Sequence, residues 1–248
     1  MPFIGNKPSA VPLTSADITD SIITSAKIVD GTIANADINS SAAIALSKLS
    51  TTGTASSSNY LRGDGAWTAV SSDYVLLATT DASASSSVSF DGYYSSTYKN
   101  YKVIISDFIP ATNNIGFWIR YNQSGSPLTA SYQYITSVTY STVATPDYVA
   151  SAIGSQSDTK INLISSNSQT NTAGFCLSVE VTIFNPLNTA NYKRIHIVGS
   201  GMEGNNTYHW LGHTAGLYKG NTSALSGITF LCSSGNITSG NFKLYGIK

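Results

Sequence analysis

The sequence predicts a mostly β protein: an extended, repeat-containing N-terminal stalk followed by a C-terminal β-sandwich, jelly-roll-like in size. Three observations carry this expectation. Of 26 Phe, Tyr and Trp residues, only Phe3, Tyr60 and Trp67 precede Ser71, so the first 70 residues lack the rings of an ordinary core. Within them an aliphatic residue recurs every five positions, at Leu13, Ile18, Ile23, Ile28, Ile33 and Ile38. From Tyr74 onward, apolar and polar residues alternate in short runs between Gly, Asn, Ser and Pro turns, which is the pattern of half-buried strands.

Composition narrows the class. The 39 Ser and 27 Thr make up about a quarter of the 248 residues, and 13 basic residues balance 13 acidic ones. A neutral chain lacks the cationic surplus that displaces counterions from phosphate, so no nucleic-acid partner is expected. With 42 % hydrophobic residues and 15 Tyr, the chain is too apolar for disorder. No run approaches the ~20 apolar residues of a membrane span, so no membrane insertion is expected. The start, Met1-Pro2-Phe3-Ile4, lacks the apolar core of a secretory signal. Two cysteines, Cys176 and Cys232, are too few for a disulfide scaffold.

The five-residue period spans 13–50. Small residues stand two positions before the aliphatic ones, as at Ala16, Ala26 and Ala36, and every second unit repeats more closely, as Ala16-Asp17-Ile18, Ala26-Lys27-Ile28 and Ala36-Asp37-Ile38. A period of five fits neither helix nor strand; it suggests a unit that turns a corner every few residues and points one apolar side chain inward. Six aliphatic side chains at about 1.5–3 kcal/mol each cannot offset the ordering of ~30 residues at about 1–2 kcal/mol each. Sister copies are therefore expected to supply the missing surface, most simply in a homotrimer whose axis is lined by Leu13, Ala16, Ile18, Ile23, Ala26, Ile28, Ile33, Ala36 and Ile38. A single-chain solenoid competes but has too few turns to cap itself. Ser40 to Leu49 reads as a short helix, with Ala42, Leu46 and Leu49 on one side; Leu46 and Leu49 join the axis set. Residues 51–73 read as a Thr/Ser/Gly linker and a junction, Tyr60-Leu61-Arg62-Gly63-Asp64-Gly65-Ala66-Trp67, in which a Gly-Asp-Gly turn separates two apolar ends; Trp67 is the last axis candidate.

The tip domain is expected over 74–248, with roughly ten strands in about 175 residues forming two sheets. Tyr101, Val103, Ile105 and Ile109 share one face, then Ile115, Phe117, Ile119 and Tyr121, then Tyr132, Tyr134, Val138 and Tyr140. Phe175, Leu177, Val179, Val181 and Ile183 form the clearest run. Ile195 and Ile197, then Ile228, Phe230 and Cys232, and last Phe242, Leu244 and Gly246 complete the core set.

Chemistry is harder to find. His209-Trp210-Leu211-Gly212-His213 has Trp where a zinc protease carries its acid, and two same-face strand residues four apart lie about 13 Å from each other. No Gly-x-Ser-x-Gly elbow or paired carboxylates appear, and Cys176 and Cys232 read as inert mid-strand thiols. No catalytic residue, metal or cofactor is nominated. Binding has more support. Trp118 and Arg120 point away from the core face of their strand, as do Glu180, Arg194 and His196 of theirs. A Trp with Arg, His and Glu suits a sugar ring, although such a face also suits a subunit contact. Tyr208 and Trp210 share a face and form a second ligand candidate, with core packing as the alternative.

These residues resemble a family. Ser15-Ala16-Asp17-Ile18-Thr19-Asp20-Ser21-Ile22-Ile23-Thr24-Ser25-Ala26-Lys27-Ile28, Asp30-Gly31-Thr32-Ile33 and Ala42-Ala43-Ile44-Ala45-Leu46-Ser47-Lys48-Leu49 are similar to the stalks of bacteriophage tail fibre proteins, in particular those of cyanobacterial phages. The Gly-Asp-Gly-x-Trp junction, Phe184-Asn185-Pro186-Leu187-Asn188-Thr189-Ala190-Asn191-Tyr192-Lys193 and the ending Ser239-Gly240-Asn241-Phe242-Lys243-Leu244-Tyr245-Gly246-Ile247-Lys248 resemble the same proteins. The resemblance implies a trimeric virion protein, made in the host bacterial cytoplasm, whose residues 1–12 attach to the tail or baseplate and whose tip faces the host surface, with a host cell-surface glycan or receptor as the expected partner. A glycan-degrading fibre enzyme and a free lectin-like module are the alternatives.

Overall fold

The computed structural model of the chain describes residues 14, 16, 18–45, 48, 50–142, 148–163 and 169–248. Residues 1–12, the expected attachment segment, and the axis candidates Leu13, Leu46 and Leu49 lie outside the described residues. The chain divides into two units, the first ending at Val70 and the second running Ser71–Lys248.

In the first unit two kinds of turn alternate, so the five-residue period of the sequence becomes a ten-residue period of backbone. A 3-10 turn at Ser25–Lys27 is repeated at Asn35–Asp37, closed by Lys27 N donating to Thr24 O at 2.9 Å and Asp37 N to Ala34 O at 2.9 Å. Between them, Ile22 N donates to Thr19 O, Thr32 N to Val29 O and Ala42 N to Asn39 O, again ten residues apart. Ser21 and Gly31 take left-handed conformations at φ 66° and 78°, where glycine is favoured. Side chains repeat likewise: Ile18, Ile28 and Ile38 are 42, 38 and 41 % exposed, and Ile23 and Ile33 are 54 and 55 % exposed. Within the single chain these aliphatic side chains are all exposed. Of the helix expected at Ser40–Leu49, residues 42–45 carry no helical turn, Lys48 lies in a 3-10 turn with its N donating to Ala45 O at 2.8 Å, and residues 46, 47 and 49 lie outside the described residues. The Asn39 side chain accepts from Ser41 N and its carbonyl from Ala42 N, both at 2.8 Å, so Asn39 closes a local turn before this segment.

The junction is a hairpin. Strand β1 (Asn59–Leu61) pairs with β2 (Trp67–Ala69), Leu61 opposite Trp67. Gly65 sits at φ 81°, and the Asp64 carboxylate accepts from Ala66 N at 3.1 Å. Thr52 bridges alongside Ala66, so part of the expected linker is paired. Trp67 is half-buried.

The second unit holds β3 (Tyr74–Ser85), β4 (Ser87–Asp91), β5 (Asn100–Pro110), β6 (Phe117–Gln123), β7 (Ser126–Pro127), β8 (Tyr132–Thr142), β9 (Tyr148–Asp158), β10 (Ile161–Asn162), β11 (Leu177–Phe184), β12 (Lys193–Met202), β13 (Tyr208–Tyr218), β14 (Gly227–Cys232) and β15 (Ile237–Ile247). Eight of them form one sheet in the order β3-β15-β5-β11-β12-β13-β8-β9; the second has the order β10-β6-β14-β4, with β7 on β6. The named pairings are antiparallel. Apolar residues facing between the sheets form the core. Phe108 meets Phe117 with ring centroids 4.7 Å apart, and Phe230 meets Phe242 at 5.7 Å, joining the sheets in an arrangement consistent with a β-sandwich. The sheets are unequal, eight strands against five, whereas a jelly roll folds eight strands into two sheets.

Two expected faces change phase. Phe108, not Ile109, is fully buried, because Asp107 is left-handed at φ 56° and the register shifts there against β11. A bulge inserts one residue and reverses the alternation beyond it. Phe175 is exposed and precedes β11; only Leu177, Val179, Val181 and Ile183 of that run reach the core.

Candidate functional site

Alternation on β11, β12, β13 and β8 sends every second side chain outward from the large sheet, and the register sets them in rows. Glu180, Val198, His213 and Ser137 are cross-strand neighbours, next come Thr182, His196, Ala215 and Ile135, and then Phe184, Arg194, Leu217 and Gln133. Glu180, Arg194 and His196 thus share one face, as expected. Glu180 is engaged, its carboxylate 2.6 Å from Lys102 Nζ, and the His196 ring meets Phe184 edge-on with centroids 5.5 Å apart. Between the rows lies a shallow hollow of about 290 Å³ walled by Ile135, His196, Val198 and His213.

Trp118 and Arg120 do not join them. Both lie on β6 in the small sheet, pointing away from the core on the opposite side of the sandwich. The Lys160 ammonium stands 4.6 Å from the Trp118 ring centroid and pairs with Asp158 at 2.7 Å; Arg120 Nε donates to Thr159 O at 3.1 Å. Burial pushes the Asp158 carboxyl pKa up, but the bonds from Lys160 and Thr159 outweigh it and hold the carboxyl below its ordinary range. One face of the indole is therefore already covered by a cation. Trp210 is corrected outright: its side chain is 0 % exposed and belongs to the core. Tyr208 is half-buried, edge-on to Tyr140 at 6.3 Å.

The most organised hollow is one that the sequence reading reached only through Arg194. The β11–β12 connection, Asn185 to Tyr192, encloses about 330 Å³ between Phe184, Asn185, Asn188, Asn191, Tyr192 and Arg194. Each fixing contact of this loop has a physical cause. Asn185 adopts φ 41°, a left-handed turn that Asn tolerates, and its N–H donates to the Asn100 side chain at 3.2 Å. The Asn188 carbonyl oxygen of the side chain accepts from both Ala190 N and Asn191 N at 2.8 Å. Lys193, buried beneath, donates from Nζ to Asn188 O, to Asn191 O at 3.1 Å and to Thr222 O at 2.7 Å; burial pushes its ammonium pKa down. Above this base, Tyr192 is 52 % and Phe184 39 % exposed. Among the described residues, the Asn185 and Asn191 amides, the Tyr192 hydroxyl and the Arg194 guanidinium have no intramolecular hydrogen bond, and no carboxylate pairs with Arg194.

His209 and His213 both face outward from β13, and no group of three or more metal-ligating side chains occurs among the described residues. The cysteines differ from each other. Cys232 is buried and its thiol is pushed up to about 12 by burial; Cys176 is half-exposed just before β11, not mid-strand. With a thiol reagent at pH 8, Cys176 is expected to react in the folded protein and Cys232 only after denaturation, because the thiolate is the nucleophile. Rapid labelling of both thiols in the native state would contradict this arrangement.

Comparison with known proteins gives no match: none to a family model, none among curated proteins and none among solved structures.

Proposed function

We propose that the chain is a structural virion protein, a trimeric phage tail fibre that is held to the tail or baseplate by its N-terminus and recognises host surface glycan with its C-terminal β domain. The observation that carries the proposal is the row of Ile18, Ile22, Ile23, Ile28, Ile33, Ile38 and Ile44, each more than a third exposed on a segment with no buried residue in its described part. Exposed aliphatic side chains in such density need a partner surface, and the equivalence of Ile18, Ile28 and Ile38, and of Ile23 and Ile33, in successive ten-residue repeats suits copies related by an axis along the repeat. Ala16, Ala26 and Ala36 give the backbones room to approach. The Gly-Asp-Gly junction and the sequence resemblance support the same reading. Three tips on one fibre would raise a weak sugar contact to useful avidity through effective concentration, so a shallow hollow per subunit suffices.

Analytical ultracentrifugation of the full chain tests the stalk. The expected mass is three times the 26.1 kDa of one chain. Replacing Ile18, Ile28 and Ile38 together by Ser is expected to yield single chains whose β domain still unfolds cooperatively. A wild-type protein that sediments as one chain would overturn the proposal.

A further inference from the structure

We propose that the hollow of the β11–β12 loop is a preformed subsite for one anionic sugar residue. The inference deepens the adhesive reading and rests on it for the class of ligand alone; it is independent of the number of subunits.

The hollow leaves most of its polar groups unused. Two exposed rings, Phe184 and Tyr192, stand beside three asparagines and one guanidinium around about 330 Å³, within the size range of small-molecule sites. A pyranose presents an apolar C–H face and a ring of vicinal hydroxyls, each both donor and acceptor. An aromatic side chain stacks on the first, and an Asn amide, with one donor and one acceptor end, matches a neighbouring pair of the second. The free amides of Asn185 and Asn191 and the Tyr192 hydroxyl are groups of this kind. Arg194 adds a cation without a carboxylate partner, whose planar fork suits a carboxylate or sulfate. An acidic sugar satisfies all three features at once.

Other ligands use less of the site. An inorganic anion would need the guanidinium but not the two rings. A peptide strand would need a free sheet edge, yet β11 and β12 are both interior, flanked by β5 and β13, and strand addition takes place at edges. The hollow is also preorganised. The Asn188 side chain and the buried Lys193 ammonium hold the loop from beneath, so little ordering entropy remains to be lost on binding.

Saturation-transfer NMR on the full-length protein, with methyl β-D-glucuronide and methyl β-D-glucoside as probes, tests the proposal. The pair differs by one carboxylate. The glucuronide is expected to bind about tenfold more tightly, the gain of a charge-assisted bidentate contact. Arg194→Gln should equalise the two sugars, and Tyr192→Ala should weaken both by about tenfold. Both side chains are exposed, so the melting temperature should not move. Trp118→Ala, on the opposite face, should change neither sugar. Glucuronide binding that survives both loop variants would overturn the site while leaving host-glycan recognition standing. A preference for the glucoside would overturn the anionic class. Failure of both sugars to bind a protein that still adsorbs to host cells would overturn the saccharide assignment itself; failure of adsorption as well would remove the adhesive reading with it.

Discussion

Trp210→Ala is expected to destabilise the β domain by about 3–5 kcal/mol, the cost of deleting a large buried ring and leaving its cavity. The indole lies flat against its own sheet because two glycines make room for it. A Cβ added at Gly201, its cross-strand partner, would stand 2.5 Å from Gln169 Oε1 and 2.8 Å from Trp210 Cζ2, and one at Gly212 would stand 3.4 Å from Cζ3. Leu or Met at position 210 would leave part of that bed empty. Phe should lose less than Ala, and it removes an indole N–H that is buried without a partner. Gly201→Ala should itself cost about 1–3 kcal/mol through overpacking, and combining it with Trp210→Ala should recover part of that loss, since one change makes the space the other fills. Denaturant unfolding of the four proteins measures the coupling. A ligand-contacting Trp would give the opposite result: unchanged stability and lost binding.

The second large effect is expected at Lys193. Its ammonium ties the β11–β12 loop to the β13–β14 connection by donating to Asn188 O, Asn191 O and Thr222 O. Lys193→Met keeps the aliphatic stem and leaves three carbonyls without their donor. At about 1–3 kcal/mol for a buried group left unsatisfied, with some of the three reaching water, a loss of about 3 kcal/mol is expected, or a melting point lower by about 6–12 °C for a domain of this size. Arginine should not restore the protein, because its planar fork cannot point three donors from one nitrogen. The same substitution should loosen the hollow above it and reduce glucuronide binding. A change below about 1 kcal/mol would mean that water replaces the ammonium and that the loop is ordered by its Asn turns alone.

How much of this was legible in the chain differs from strand to strand. The runs at Ile115–Tyr121 and Leu177–Ile183 read correctly because their inward residues are large and apolar and their outward neighbours mostly polar, so periodicity alone assigns the face. β13 could not be read this way. Its inward side is Trp210, Gly212, Thr214, Gly216 and Tyr218, and its outward side includes Leu211 and Leu217, so neither face is the more hydrophobic in sequence. Volume decides it: the glycines face inward to admit Trp210 and, at Gly216, to make room for Ile161 and Ile195. In β5, alternation held until the left-handed Asp107, and nothing local announces that a non-glycine residue there will bulge. Of the candidate site, Arg194 was visible as an outward residue, whereas Asn185, Asn188, Asn191 and Tyr192 entered only within the Phe184–Lys193 segment that carries the resemblance; their convergence depends on Lys193, a residue from the next strand folded beneath them.

By itself, then, the order of residues determined the division near Ser71, the turn-rich repeat before it and the strand-rich domain after it, because composition and short periods act within a few residues of chain. Only the tertiary structure decided that Trp118 and Glu180 lie on opposite faces of the β domain, that Trp210 is core, and that two rings, three amides and a guanidinium surround one hollow. Which strands become neighbours is set by packing two unequal sheets face to face, a balance of volumes and buried polar groups summed over residues far apart in sequence.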